Sequence, residues 1–226
     1  MNTIRFVLTA LLASTLAVAP AFAQTKADFE EAMSYDGLKK IEVRGLDFAF
    51  ARPGATLAAY KKVVVEPVEV AFHKDWDPTR TGSRLKLSAT ERENIRSGVA
   101  KIVHEEFVKV LQAKGNYKVV NEAGPDVLRV KPKVLNLFVN APDASSVGRS
   151  RTYTVSAGEM TLFMELYDSE TGAVLARVVD RREARNTGMM TLSSSVVNAG
   201  EAQAIASTWA RILRDALDRA HGVGKK

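Results

Sequence analysis

The chain has 226 residues, of which 46% are hydrophobic, so it is long enough to bury one substantial core. Its 32 Lys and Arg residues against 26 Asp and Glu give a net charge of +6, an excess that either favours anionic partners or serves solubility. The absence of cysteine excludes disulfides, thiolate metal sites and thiol nucleophiles.

The first 23 residues have the pattern of a cleavable signal peptide. Arg5 supplies a positive charge, residues 6–19 form an apolar run, and Ala21 and Ala23 are the small residues that a signal peptidase reads. The alternative is a retained membrane anchor, but such a helix needs about 20 apolar residues and this run is shorter. We therefore expect cleavage after Ala23 and a soluble periplasmic protein without a transmembrane segment.

Residues 24–56 are predicted to form an N-terminal arm. A short helix at 25–33 is followed by turn signals at 35–38 and 52–55. With so little regular pattern, the segment is expected to pack over the core as an irregular arm.

Residues 57–221 are predicted to form a single α+β domain, followed by a disordered tail at 222–226. The first strand is expected at 62–70, which is dense in β-branched residues. Pro67 cannot donate to a β-ladder, so it marks an edge position or the end of a strand.

Two amphipathic helices are predicted. Ser88 and Glu91 have the spacing of a capping box, and apolar residues then recur at helical intervals as far as Leu111. A second apolar stripe, which includes Ile205 and Trp209, predicts a helix over 201–221.

Further strands are predicted between the helices, at 117–121, 127–139, 152–167 and 173–186, with a hairpin loop at 168–172. Alternation of apolar and polar residues from Met160 to Tyr167 predicts a sheet with one face on the core. The expected fold is α+β, a mostly antiparallel sheet with the two helices packed on one face.

Three stretches resemble a family of bacterial envelope proteins known as domain of unknown function 3313. They are Ala-Tyr-Lys-Lys-Val-Val-Val-Glu-Pro-Val at 59–68, Tyr-Lys-Val-Val at 117–120 followed by Gly-Pro-Asp-Val-Leu-Arg-Val at 124–130, and Leu-Tyr-Asp-Ser-Glu-Thr-Gly-Ala-Val-Leu-Ala at 166–176. The resemblance implies an envelope protein with no assigned activity and no catalytic residues. Many members are lipoproteins, whereas Ala23-Gln24 stands here in place of a lipidated cysteine.

Candidate catalytic groups are scattered through the sequence. The histidines are His73, His104 and His221; His104 precedes two glutamates but lacks the second helical histidine of a zinc protease, so we interpret it as part of a solvated helix face. Acids such as Asp75, Asp77 and Glu165 could form a pair, although their spacing selects none.

Ser193–Ser195 lack the glycine-flanked turn of a hydrolase nucleophile, and no glycine-rich phosphate loop is present. We therefore predict a protein that is not an enzyme and needs no cofactor or metal, with an unrecognised hydrolase as the remaining alternative.

The candidate interaction residues are arginines and one tryptophan: Trp76, Arg149, Arg151, Arg177, Arg181 and Arg185. The last three arginines are spaced by four, so on a strand they would share a face and could grip the acidic groups of a lipid or glycolipid. The alternative is an exposed sheet face neutralised by Asp180 and Glu183.

Trp76 lies in a polar loop, where it either anchors the loop or belongs to a contact surface. The arginines are not interleaved with aromatic residues, so no nucleic-acid binding is predicted. The leading hypothesis is a non-catalytic accessory or interaction module of the cell envelope, with a protein partner; the second is a binder of anionic lipid or glycolipid.

Overall fold

The computed structural model describes residues 26–77, 87–113, 116–139, 152–154, 158–184, 191–193 and 195–223. Within these residues the chain forms three α-helices, α1 at Lys26–Met33, α2 at Ala89–Gln112 and α3 at Ser195–Ala220. A 3-10 turn at Tyr35–Gly37 follows α1.

The described strands are β1 Lys39–Ile41, β2 Phe48–Ala51, β3 Lys62–Val65, β4 Glu69–Phe72, β5 Lys118–Val119, β6 Val127–Val139, β7 Thr152–Thr154, β8 Gly158–Asp168, β9 Val174–Glu183 and β10 Thr191–Ser193. Eight of them form one sheet in the order β1-β2-β9-β8-β6-β3-β5, with β4 also paired to β6. The strands β7 and β10 form a separate antiparallel pair.

The main sheet is mostly antiparallel. Successive strands in the series β1, β2, β9, β8 and β6 pair in antiparallel fashion. On the other edge of β6, β3 and β4 pair with β6 in parallel, and β5 pairs in parallel with β3. The long helices α2 and α3 both contribute to the one core that covers a single face of this sheet. The predicted fold class is therefore confirmed.

Alternation along β8 decides which face is covered. Met160, Leu162, Met164 and Leu166 belong to the core with Trp209 and Leu213 of α3, so these positions define the helix face. The residues between them point to the opposite side of the sheet, the outer face.

The N-terminus of α2 is fixed by the predicted capping box. The Ser88 hydroxyl oxygen accepts from the Glu91 N–H at 3.2 Å, and a Glu91 carboxylate oxygen accepts from the Ser88 N–H at 2.8 Å. This reciprocal pair satisfies two backbone donors that a helix start would otherwise leave open.

The prediction of an irregular arm at 24–56 is wrong for its second half. Residues 39–41 and 48–51 form β1 and β2, and β2 pairs with β9. Phe48 and Phe50 alternate with alanines, and β9 offers an open edge, so a short apolar segment without a strong strand pattern joins the sheet.

Three further boundaries differ from expectation. The strand predicted at 62–70 is two strands separated at Pro67, because proline cannot donate to the ladder with β6. The final helix begins at Ser195, six residues before the predicted start at Glu201. The strand predicted at 152–167 comprises β7 and β8, and residues 224–226 of the predicted tail lie outside the described residues.

Candidate functional site

A cleft of about 430 Å³ opens between α2 and α3, above the end of β6 and the start of β8. Its described apolar lining comprises Ile95, Val99, Ile102, Leu137, Phe138, Val139, Met160, Ala184, Ala199, Ala202 and Ile205. Ligand pockets typically measure about 300–1,000 Å³ and are mainly apolar with a few polar groups. The cleft therefore suits a small molecule, or the apolar part of a larger one.

Two glycines shape this cleft. Gly158 has a φ of 139°, and a Cβ there would lie 2.0 Å from the carbonyl oxygen of Phe138, so only glycine allows β8 to start so close to β6. Gly98 lies on α2, and a Cβ built there would meet no atom within 4 Å. The missing side chain at Gly98 therefore leaves open space at the cleft.

The polar groups of the described lining are carboxylates and amides. Glu91 belongs to the capping box, and Glu159 pairs with Arg181. The Oδ1 atom of Asn198 is buried and has no hydrogen-bond partner in the described part of the chain. A buried acceptor without a partner costs about 1–3 kcal/mol, so a ligand that donates to Asn198 would recover part of this free energy.

No serine, threonine, cysteine, lysine or histidine is among the described lining residues. The cleft thus offers apolar contact and hydrogen-bond acceptors, while the usual pairing of a hydroxyl, thiol or amine nucleophile with a base is not formed by those residues.

A polar groove adjoins the cleft along α3. It has a volume of about 550 Å³ and is lined by Arg181, Arg182 and Arg211, together with Glu183 and Glu201 and small residues of α3. Glu201 and Ile205 line both the groove and the cleft, so the two form one continuous surface.

A buried carboxylate holds Arg182 in this groove. Asp180 is only 3% exposed, and its Oδ2 accepts from the Arg182 Nε and from the Trp209 indole N–H, each at 2.7 Å. Its Oδ1 accepts from the Asp47 N–H at 3.0 Å. A second guanidinium N–H of Arg182 donates to the Gly45 carbonyl at 2.6 Å, so two sides of this side chain are fixed.

Arg177 does not lie on an exposed patch. It is fully buried, and both its Nε and Nη2 donate to the Glu165 carboxylate, at 2.9 and 2.8 Å. Nη1 donates to the Met33 carbonyl at 2.7 Å, and Nη2 donates to the Asp36 carboxylate at 3.1 Å. The Tyr35 ring stacks on the guanidinium at 3.6 Å.

The predicted arginine-rich face is therefore wrong for Arg177, because the segment around Met33–Asp36 covers the outer face at this point. The partner carboxylate, Glu165, also accepts from the Tyr167 hydroxyl at 2.5 Å. Burial, reinforced by this hydrogen bond, raises the pKa of Tyr167 above its usual range. The cluster is a structural ionic network that fixes the N-terminal segment to the sheet.

The other predicted arginines have different outcomes. Arg181 has a side chain that is 59% exposed and pairs with Glu159 and Glu183. Arg149, Arg151 and Arg185 lie outside the described residues. Arg181 lies on the same outer face of the sheet as Arg177 but is exposed, whereas Arg182, the next residue, points to the helix face. All three of Arg181, Arg182 and Arg211 border the groove.

Trp76 is an anchor of its loop. Its residue is 8% exposed, its ring stacks on Phe72 with 4.2 Å between centroids, and its indole N–H donates to the Val139 carbonyl at 2.9 Å. The contact-surface interpretation is therefore wrong for this side chain. The hydrogen bond ties the start of the loop to the end of β6, next to the cleft.

The histidines interact with backbone groups. His104 Nε2 lies 3.2 Å from the Val65 carbonyl oxygen, and His221 Nδ1 lies 2.8 Å from that of Leu217. His73 Nδ1 accepts from the Asp75 N–H at 3.1 Å. In the described part of the chain, no three His, Cys, Asp or Glu residues are grouped as metal ligands.

Neither the cleft nor the role of Arg211 in the groove was predicted from the sequence. The helix was predicted to begin only at Glu201, so residues 198–200 of α3 were not recognised as part of a wall facing α2. The available signal was the glycine and alanine content of both helices near Gly98 and Ala199–Ala202, which leaves space between helices.

No helix among the described residues is long and apolar enough to cross a membrane. The family profile described as "Protein of unknown function (DUF3313)" matches residues 28–213, which include the whole main sheet and most of α3. The chain belongs to the DUF3313 family. No curated protein sequence matches this DUF3313 protein.

Comparison with solved structures finds proteins of low similarity to this chain. The PelC dodecamer from Paraburkholderia phytofirmans shares 12% identity over 78% of this chain and 96% of its own, with a TM-score of 0.36. A DUF330 protein from Xanthomonas campestris shares 11% over 76% and 91%, with a TM-score of 0.41. A minor lipoprotein from Acinetobacter baumannii shares 12% over 69% and 94%, with a TM-score of 0.32. Such scores are too low to transfer a function from these proteins to the DUF3313 chain.

Proposed function

We propose that this DUF3313 protein is an exported, non-catalytic binding module of the bacterial cell envelope, and that it binds an apolar envelope component in the cleft between α2 and α3. The observation that carries the proposal is the cleft itself, an apolar concavity with a volume of about 430 Å³ between the helices and the sheet of this α+β fold. Exposed apolar concavities of this size are the usual place where proteins bind ligands.

Export is supported by the signal-peptide pattern of the first 23 residues. The non-catalytic role is supported by the chemistry of the described lining, which consists of apolar side chains, carboxylates and amides. Binding to anionic lipid through an arginine face around Arg177 is not retained, because that guanidinium is buried in an ionic network.

The test fills the cleft without disturbing the core. Gly98→Phe adds a large side chain at a position where a Cβ meets no atom within 4 Å. Gly200→Phe is the matched control, because Gly200 also lies in a helix with open space at its Cβ and is not among the cleft-lining residues.

The uncharged apolar dye N-phenyl-1-naphthylamine serves as the first ligand, and its fluorescence reports binding. We expect saturable binding to the wild type and to Gly200→Phe, and a loss of at least about tenfold in affinity in Gly98→Phe, since tenfold corresponds to about 1.4 kcal/mol. Equal binding by all three proteins would show that the cleft is not the binding surface.

In cells, a photoreactive residue at Asn94, an exposed position on the cleft rim, should form an adduct that Gly98→Phe removes and Gly200→Phe retains. Adducts that are insensitive to both substitutions would contradict binding through the cleft.

A further inference from the structure

The polar groove beside the cleft narrows the ligand class. On α3, Glu201, Ile205, Thr208 and Arg211 follow one another at intervals of three or four residues, so they lie on one side of the helix. The first two also line the cleft. A molecule seated in the cleft can therefore extend along α3 into the groove.

The groove presents guanidinium groups where the cleft ends. Arg182 is held through its Nε by Asp180 and through Nη2 by the Gly45 carbonyl, and its Nη1 has no partner in the described part of the chain. Arg211 is exposed and has no ion pair with any described residue. Guanidinium groups recognise carboxylate and phosphate through paired hydrogen bonds, and a pre-fixed guanidinium loses little entropy on binding.

Carboxylates also line the groove and limit which arginines can act. Arg181 is engaged with Glu159 and Glu183, so it contributes little further to anion binding. Glu183 and Glu201 face the same groove. The capacity to bind an acidic group therefore rests on Arg182 and Arg211.

We infer that the ligand is an amphiphile with an acidic head group, whose alkyl chain occupies the cleft and whose head group is bound by Arg182 and Arg211. This inference rests on the proposed function, because it requires the cleft to bind an apolar group. A free phosphate would not use the cleft, so the inference commits to a lipid-like molecule.

The experiment compares two ligands with the same alkyl chain, dodecyl phosphate and dodecyl maltoside, each below its micelle concentration. Calorimetric titration of the full mature chain measures both affinities. We expect dodecyl phosphate to bind at least about tenfold more tightly, since charge-assisted hydrogen bonds are the stronger ones. Raising the salt concentration should reduce this preference.

The variants are Arg182→Gln and Arg211→Gln, with Arg219→Gln as control because Arg219 is exposed about two turns further along α3. Either of the first two should lower the affinity for dodecyl phosphate and leave that for dodecyl maltoside unchanged. Arg211→Gln keeps the test valid if loss of Arg182 disturbs Asp180, because Arg211 contacts no described ionic partner.

Each outcome has a distinct meaning. Equal binding of the two ligands, with no effect of the arginine variants but a loss in Gly98→Phe, would overturn the inference and leave the proposed cleft function standing. A preference for dodecyl phosphate that survives Arg182→Gln and Arg211→Gln would also overturn it. If neither ligand nor the neutral dye binds, both the inference and the proposed function fail.

Discussion

Arg177 and Arg181 stand four residues apart on β9, and both side chains point to the outer face of the sheet. Arg177 lies under the segment that follows α1 and donates to groups of that segment and to Glu165. Arg181 lies beyond Phe48, the first residue of β2, and its side chain is 59% exposed. The environment of an outer-face residue therefore depends on the N-terminal segment, which the spacing of arginines does not reveal.

Loss of the buried guanidinium should be costly. Arg177→Gln leaves the Glu165 carboxylate buried without its cation, and breaking such a pair typically costs about 3–5 kcal/mol. Arg181→Gln removes an exposed ion pair and should cost less than about 1 kcal/mol. Urea denaturation of both variants measures the free energy of unfolding. A similar loss in the two would contradict the network described around Arg177.

At the scale of elements, hydrogen bonds between loops connect parts of the chain that are distant in sequence. The Tyr60 hydroxyl, just before β3, donates to Asp168 at the end of β8 at 2.8 Å. The Thr171 backbone N–H and this hydroxyl hold the pKa of Asp168 below its usual range. Burial, then the hydrogen bond to Asp168, raises the pKa of Tyr60 to about 12.

The two pKa shifts make stability depend on pH at both extremes. The contribution of Asp168 is present above its unfolded pKa of 3.8 and is lost as the pH falls through its lower folded pKa. The contribution of Tyr60 is present below its unfolded pKa of 10.0 and is lost as the pH rises toward about 12.

Tyr60→Phe should therefore lower stability at neutral pH and weaken its dependence on pH at both ends. The loss of stability at high pH becomes smaller in the variant but does not vanish, because burial also raises the pKa of Tyr117 and Tyr167. The loss of stability at low pH becomes only partly smaller, since the Thr171 N–H still donates to Asp168. The urea midpoint of unfolding, measured across the pH range, reports this dependence. Parallel curves for the wild type and the variant would show that the Tyr60–Asp168 hydrogen bond does not contribute to the pH dependence of stability.

Elements with strong local signals were predictable. The core-facing side of β8 was predicted from the alternation of apolar and polar residues between Met160 and Tyr167. The start of α2 was predicted from the spacing of Ser88 and Glu91. By contrast, β1 and β2 exist because β9 offers an edge to pair with, and no local signal reports that edge. The walls of the cleft were missed because α3 begins before the predicted helix start at Glu201, so its first turns were not recognised as facing α2.

On the scale of the whole molecule, the proposal of export concerns residues outside the described structure. We expect the mature protein to begin at Gln24 and to fractionate with the periplasm, because Ala21 and Ala23 are the small residues required for cleavage. Mass spectrometry of the purified protein measures the N-terminus. Replacing both alanines by leucine should leave the precursor uncleaved.

Ala19→Leu is the control, since Ala19 lies in the apolar run where a larger apolar residue is tolerated. An intact N-terminus in the wild type, recovered from the cytoplasmic fraction, would refute export.

The ionic network around Arg177, which fixes the N-terminal segment to the sheet, also affects the order in which the protein folds. The Met33 carbonyl and the Arg177 guanidinium are separated by 144 residues, so the segment emerges from the ribosome long before its binding partner. Contacts of such long range form slowly. Until β8 and β9 have paired, Phe48 and Phe50 lack the strand that β2 joins. Partly folded chains should therefore associate with one another through the unpaired β2. The last event of folding should be the docking of the N-terminal segment onto the outer face of the sheet.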